Sequence, residues 1–297
     1  MTARSPNNRD CLFCPNHELG WHYKDVGHGR PLILLHGIGM SHTAWKNVVN
    51  NLAKERRVLA FDIAGFGVTP PVPQDVQPTP ANLLAGVGSL AETVNQIDQE
   101  KQISKDYECV DIVGNSLGGY LALEAAKAGK LGSFRVSSIV GISPAGLWKK
   151  RYPLRSEVVL QLTRLGVRVL PGLTRSLLRR RYTRKLLMGV PVSTNVPAED
   201  ACELVSIFAD APVFASKVAF KKFRESMKDP FIGGRTIPDS IRVTIVFGTR
   251  DWLLPPSARL RHEIPEGVIW QNREGWGHVP MWDDPEGVTK FILDSIA

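Results

Sequence analysis

Three residues far apart in the chain have the side chains that acyl transfer requires: Ser116, Asp251 and His278. A serine hydroxyl is a poor nucleophile until a base takes its proton. An imidazole can be that base, and a carboxylate can fix the imidazole in one tautomer and stabilise its developing charge. Ser116 stands in Gly114-Asn115-Ser116-Leu117-Gly118, a G-x-S-x-G spacing. Such a turn is so sharp that side chains at Gly114 and Gly118 would collide, and the serine hydroxyl is left pointing clear of the chain on either side. Asp251 closes Gly248-Thr-Arg-Asp251, and His278 lies in Gly275-Trp-Gly-His278-Val-Pro.

The elements that would position these groups can be read from the surrounding residues. An apolar run from Cys109 to Ile112 precedes the serine turn, and Tyr120 to Lys127 after it favours a helix, so strand, turn and helix are expected. The helix aims free N–H groups and its positive dipole end at the place where an oxyanion would form, with the N–H of Leu117 as first donor. A buried strand at Pro31–Leu35 ends in His36-Gly37-Ile38-Gly39. There the glycines let backbone approach a substrate and the N–H of Ile38 is the second donor. His36 ends that strand beneath the pocket and is expected to hold the loop by hydrogen bonds rather than to act as the base. Asp62, after the strand Arg57–Phe61, is expected to tie down backbone N–H groups.

Further strands are expected at 136–142, 243–247 and 268–270, so that Asp251 and His278 each follow a strand. Ser143-Pro-Ala-Gly146, after the first of these, offers no acid. The segment 18–30 reads as a hairpin feeding the sheet, and 41–52 as an amphipathic helix capped by Ser41 or Thr43. Other helices are expected from Pro80 to about Gln102, from Pro255 through Ile264, and at 285–296, the last capped by Asp284. Asp283 beside it would favour the dipole. The whole is an α/β pattern, a mostly parallel central sheet flanked by helices. Residues 1–146 and 238–297 form the core and 147–237 a helical insertion whose periodicity is broken by prolines.

The serine turn resembles the nucleophile elbow of serine-dependent α/β-hydrolases, and Asp62-Ile-Ala-Gly-Phe-Gly67 and the order Ser116, Asp251, His278 are similar to that family as well. The resemblance implies a helical cap over the site and a two-step acyl transfer on a small-molecule carbonyl, with no metal or organic cofactor. Serine at the elbow argues against the epoxide hydrolase and dehalogenase branches, which need an aspartate nucleophile. The stretch 114–119 is similar to the elbow of ring-cleavage C–C hydrolases. Against that branch, the loop His36-Gly-Ile-Gly-Met40 replaces its G-G-x-P-G type, and Val279 replaces its tryptophan. His278-Val-Pro-Met-Trp-Asp-Asp-Pro285 looks more like the esterase, haloperoxidase and iminopeptidase branches, and a basic lid does not suit an iminopeptidase. Carboxylic ester hydrolysis is therefore expected first, with lactone, thioester or C–C substrates behind it. A ligand-binding receptor or a cofactor-free oxygenase on the same fold are the non-hydrolytic alternatives.

The chain has 297 residues, 43% of them hydrophobic, enough for one large core. It lacks an eighteen-residue apolar run, and its N-terminus is polar without an apolar signal core, so a cytoplasmic protein is expected. The four cysteines are too scattered for a disulfide framework, and Cys11-Leu-Phe-Cys14 with His17 lacks the second pair of a zinc site. The net charge of +8 is concentrated: 148–185 carries twelve Lys and Arg against Glu157 alone. No aromatic platform accompanies that charge, which argues against nucleic acid. Apolar residues between the arginines (Val158, Leu160, Leu162, Leu165, Val169, Leu173) allow two readings. Either the segment rests on an anionic membrane, or its apolar face packs on the core and the charges are solvated outside.

Overall fold

The structure, a computed structural model, describes residues 21–67, 69–100, 107–150, 152–189, 192–193 and 195–296. Cys11, Cys14, His17 and the helix end expected near Gln102 lie outside these residues. The chain runs β1 Tyr23–Val26, β2 Pro31–Leu35, a 3-10 turn His42–Trp45, α1 Lys46–Leu52, β3 Arg57–Phe61 and α2 Pro80–Glu100. It continues through β4 Cys109–Asn115, α3 Leu117–Ala128, β5 Lys130–Leu131 and β6 Phe134–Ile142. Six helices follow: α4 Leu154–Val169, α5 Pro171–Arg179, α6 Arg181–Met188, α7 Ala198–Asp210, α8 Pro212–Ala215 and α9 Lys217–Ser226. The sheet resumes with β7 Arg242–Gly248 and β8 Ile269–Arg273, and α10 Pro280–Asp283 and α11 Pro285–Ile296 close the chain.

Eight strands form one sheet in the order β1-β3-β2-β4-β6-β7-β8, with β5 paired to β6. The pairs from β3 to β8 are parallel; β1 on β3 and β5 on β6 are antiparallel. All five residues of β2 and all five of β3 are buried, as continuous apolar runs in a covered parallel sheet should be. Helix α3 packs against β2, β4 and β6, with α2 beside it, while α1 and α11 pack on each other and reach β3 and β6.

Two expectations are corrected here. The segment before β2 is not a hairpin partner of β2, because β3 and β4 occupy both edges of that strand. β1 therefore takes the free edge of β3, held by Arg57, whose Nε and a terminal nitrogen donate to the Asp25 carboxylate at 3.0 and 2.6 Å. After Pro255 there is one 3-10 turn, Pro256–Ala258, and no helix through Ile264. Arg259 leaves helical geometry and its guanidinium donates to the carbonyls of Leu254, Asp251 and Gly248, while Leu260 N–H bonds Leu147 O at 2.9 Å. Tertiary partners have taken the groups a helix would use. The 41–52 segment divides into the 3-10 turn, capped by the Ser41 hydroxyl, and α1.

Candidate active site

Ser116 sits between β4 and α3 with φ 54° and ψ −111°. Among the described residues only Ser116 and Ser143 are non-glycines at positive φ. A backbone in so sparsely populated a region persists only where its surroundings over-determine it. Here Ser116 N–H donates to Ile142 O (3.0 Å), and Ser116 O accepts from Tyr120 N–H (3.0 Å) and Ala145 N–H (2.9 Å). Gly118 N–H reaches His36 O at 3.1 Å. A Cβ at Gly118 would lie 2.1 Å from Leu35 O, and one at Gly114 would lie 2.0 Å from Gly118 O. The elbow therefore has no room for side chains at its two glycines.

Asp251 follows β7 and His278 follows β8. His278 Nδ1 is 3.1 Å from Asp251 Oδ2, both residues being buried. A carboxylate accepts, so Nδ1 carries the proton and Nε2 keeps the lone pair. Burial alone would push the Asp251 carboxyl up. The facing imidazole, its hydrogen bond, the Leu254 N–H at 3.1 Å and the Arg259 guanidinium outweigh burial and hold it below the ordinary carboxylate range.

Ser116 and His278 line the same cavity, of about 130 Å³, together with Gly37, Ile38 and, from the insertion, Leu160 and Phe208. Ile38 lies within a turn closed by Met40 N–H on Gly37 O at 3.3 Å. Leu117 N–H belongs to the first turn of α3, where no carbonyl of the helix itself can reach it. His36 has the structural position expected of it: Nε2 accepts from Ile63 N–H at 3.0 Å, so Nδ1 is the donor to Gly37 O at 2.8 Å. Burial pushes its pKa below the usual imidazole value. Asp62 ties down a backbone N–H as expected, that of His42 at 2.6 Å, and also accepts from His42 Nδ1 at 2.8 Å.

Three supports are absent from the reading of the sequence. Asn115, next to the serine, donates from Nδ2 to His278 O at 2.8 Å and Ile142 O at 3.1 Å, joining the elbow to the histidine loop. Asp283 stands near the start of the last helix, as expected, and also accepts from Gly277 N–H (2.7 Å) and from the Ser193 hydroxyl (2.7 Å), so it ties that loop to the insertion. Val192 O accepts from His278 N–H at 2.8 Å. Asparagine beside the serine was a visible signal, but partners at such sequence distance are not. Asp284 does cap α11, through Gly287 N–H at 2.9 Å.

The insertion's apolar residues divide. Leu160 lines the cavity and Val167 is buried, but Leu162, Leu165 and Val169 are 62%, 60% and 62% exposed. The reading in which the apolar face packs wholly on the core is thus corrected: α4 turns a stripe of Leu154, Val158, Leu162, Leu165 and Val169 outward. No helix among the described residues is long and apolar enough to cross a membrane.

Residues 32–291 match the model of the alpha/beta hydrolase family. The chain is similar to the epoxide hydrolase EphH of Mycobacterium tuberculosis, 30% identical over 207 residues, which are 66% of this chain and 91% of that protein. It is also similar to a 2-hydroxy-6-oxo-2,4-heptadienoate hydrolase of Pseudomonas putida, 38% identical over 105 residues, 34% of each chain. Among solved structures, a thermophilic esterase from Thermogutta terrifontis superposes with a TM-score of 0.64 at 20% identity, covering 94% of each chain. With the family model spanning nearly the whole sheet and the serine turn in its place at the end of β4, the chain belongs to the alpha/beta hydrolase family.

Proposed function

We propose that the protein is a serine hydrolase that cleaves a carboxylic ester through an acyl-enzyme. The observation that carries this is His278, backed by the buried Asp251 at 3.1 Å, in the wall of the cavity that also holds the strained Ser116. Ser116 Oγ attacks the carbonyl carbon and passes its proton to His278 Nε2. The N–H groups of Leu117 and Ile38 take the oxyanion. The tetrahedral species then collapses, its alkoxide leaves with the proton from His278, and Ser116 is acylated. Water gives a proton to His278 as it attacks, and the acid departs as Ser116 recovers its hydrogen.

The relatives' names span epoxide, C–C and ester chemistry, and the serine at the elbow speaks against the first of these. Opening an epoxide on this fold uses an aspartate where this chain has Ser116. The C–C reading keeps support from the 114–119 stretch and the similarity over 105 residues, but the His36–Met40 loop and Val279 favour the ester. A panel of p-nitrophenyl butyrate, styrene oxide and a vinylogous diketone tests the choice. The expected result is ester turnover, with kcat lowered on the order of 10⁶-fold in Ser116→Ala and on the order of 10⁴-fold in Asp251→Asn. Turnover of the epoxide or diketone alone would overturn it.

As partner we propose an anionic lipid surface. The outward stripe of α4 continues in Leu170, Leu173, Tyr182 and Leu186, and exposed Arg168, Arg179, Arg180, Arg181 and Lys185 accompany it. Apolar area with cations beside it is the chemistry that seats on anionic headgroups.

A further inference from the structure

Behind the cavity over Ser116 the insertion holds a second one, of about 370 Å³. Its walls come from α4, α5, α6 and α7, with one loop residue, Val192, and none from the sheet. Among its lining side chains the only polar ones are Thr163 and Thr174, and the Thr174 hydroxyl is spent on Leu170 O (2.9 Å) and Gly166 O (3.1 Å). The cavity is not closed, since exposed Leu162 and Leu187 belong to its lining, and its nearly all-apolar walls offer water few hydrogen-bond partners. It is suited to an apolar guest.

Gly166 points the same way. It stands inside the sixteen-residue α4, where glycine costs helix stability, and its φ is not positive. The nearest atom a Cβ would meet is Thr174 Oγ1, at 3.7 Å. Neither backbone geometry nor a close neighbour requires glycine there. What the missing side chain provides is space in the cavity it lines.

The two cavities share Val159, Thr163, Val192, Leu204 and Phe208 in their lining, so they adjoin each other across one set of side chains. At the far side Leu162 and Leu187 line the cavity and are also exposed, which puts its rim on the outward apolar stripe. Phe208 stands at the junction: a Cβ on Gly39, in the oxyanion loop, would lie 2.3 Å from its ring. Cavity, junction and oxyanion loop are thus in contact.

We infer that the second cavity is an acyl-chain site, and that the ester cleaved at Ser116 carries a long unbranched fatty acyl group. This rests on the hydrolytic reading above and names its substrate class. At about 370 Å³ against about 130 Å³, the second cavity has more room than the one over Ser116, and it is where a chain longer than butyryl would go. A flexible chain passes a junction between two cavities, whereas a rigid ring system would have to fit in one.

The test is kcat/KM along p-nitrophenyl esters from acetate to palmitate, in the full chain and in Gly166→Phe, with Leu177→Trp as a second filling variant. Calorimetric titration of laurate into Ser116→Ala supplies a readout independent of turnover. A buried methylene strengthens binding roughly fourfold at most. Laurate ester should therefore exceed butyrate by tenfold or more, each filling variant should lower the laurate-to-butyrate ratio about tenfold, and laurate should bind Ser116→Ala. Turnover of short esters with no gain on lengthening, and no laurate binding, would overturn the acyl-chain site and leave hydrolysis standing. Laurate binding that Gly166→Phe removes, without turnover of any ester, would retain the site and sink the hydrolytic reading.

Discussion

Ser116 and His36 show how much the site depends on where individual groups are placed rather than on which groups are present. Ser116 occupies a backbone conformation that costs about 1–3 kcal/mol for a residue with a Cβ, and its own N–H and C=O bonds to Ile142, Tyr120 and Ala145 hold it there. His36, beside the Gly37 loop, has both ring nitrogens engaged, by Gly37 O and Ile63 N–H. Burial keeps it neutral below the usual pKa of 6.5, and His22 is shifted the same way by its own burial. The unfolded chain takes up these protons near pH 6.5, while the folded chain does so only at lower pH. Stability is therefore expected to fall as pH drops from about 6.5 toward the folded values. Asp251, depressed by its partners, adds a loss only below its ordinary value of 3.8. Urea midpoints at pH about 7.5 and about 5.5 check this: the midpoint should be lower at the acid end, and less so in His36→Gln. A midpoint indifferent to pH across that window would contradict it.

The elements that carry the site are set by close backbone approaches. Gly118 lets α3 start against β2, so Gly118→Ala should cost about 3 kcal/mol by denaturant titration. Gly172→Ala in α5, where a Cβ meets nothing within 4 Å, should stay within about 0.5 kcal/mol. Equal costs would contradict the packing described. The strands β2, β3, β4, β6 and β7 are legible because each is a buried apolar run ending in a turn signal, and Ser116 and Asp251 are legible because they follow two of them, whereas His278 follows the largely exposed β8 and is legible from its Gly-His loop. The pairing of β1 with β3 is not, since nothing local tells a strand which edge is free. The helix expected after Pro255 failed because Arg259 serves the carbonyls around Asp251, a long-range demand that periodicity does not register. Asn115 and Asp283 were in plain view, yet their partners lie 163 and 90 residues away, at His278 and Ser193. The outward stripe of α4 has the same spacing as an inward one, and only the contacts of the fold decide its direction.

Across the whole molecule, the insertion is held to the core from several sides. Lys46 on α1 pairs with Asp200 and, at 3.0 Å, with Glu203 on α7, while Asp283 bonds Ser193 and Val192 O accepts from His278 N–H. The loop bearing His278 thus answers to both parts. On the outer side, α4 to α6 present leucines and arginines together, so sedimentation with phosphatidylglycerol vesicles should pull down the protein at low salt. Neutral phosphatidylcholine should not, and salt should release it. Equal, negligible binding to both vesicles would remove the membrane from the account. The central claim is that Ser116 carries the acyl group, and the most direct measurement is peptide mass mapping after acid quench of a burst with p-nitrophenyl butyrate. The expected result is a butyryl adduct on the peptide containing Ser116, formed with one equivalent of p-nitrophenolate and missing from Ser116→Ala. An adduct on another residue, or sustained turnover by Ser116→Ala, would contradict it.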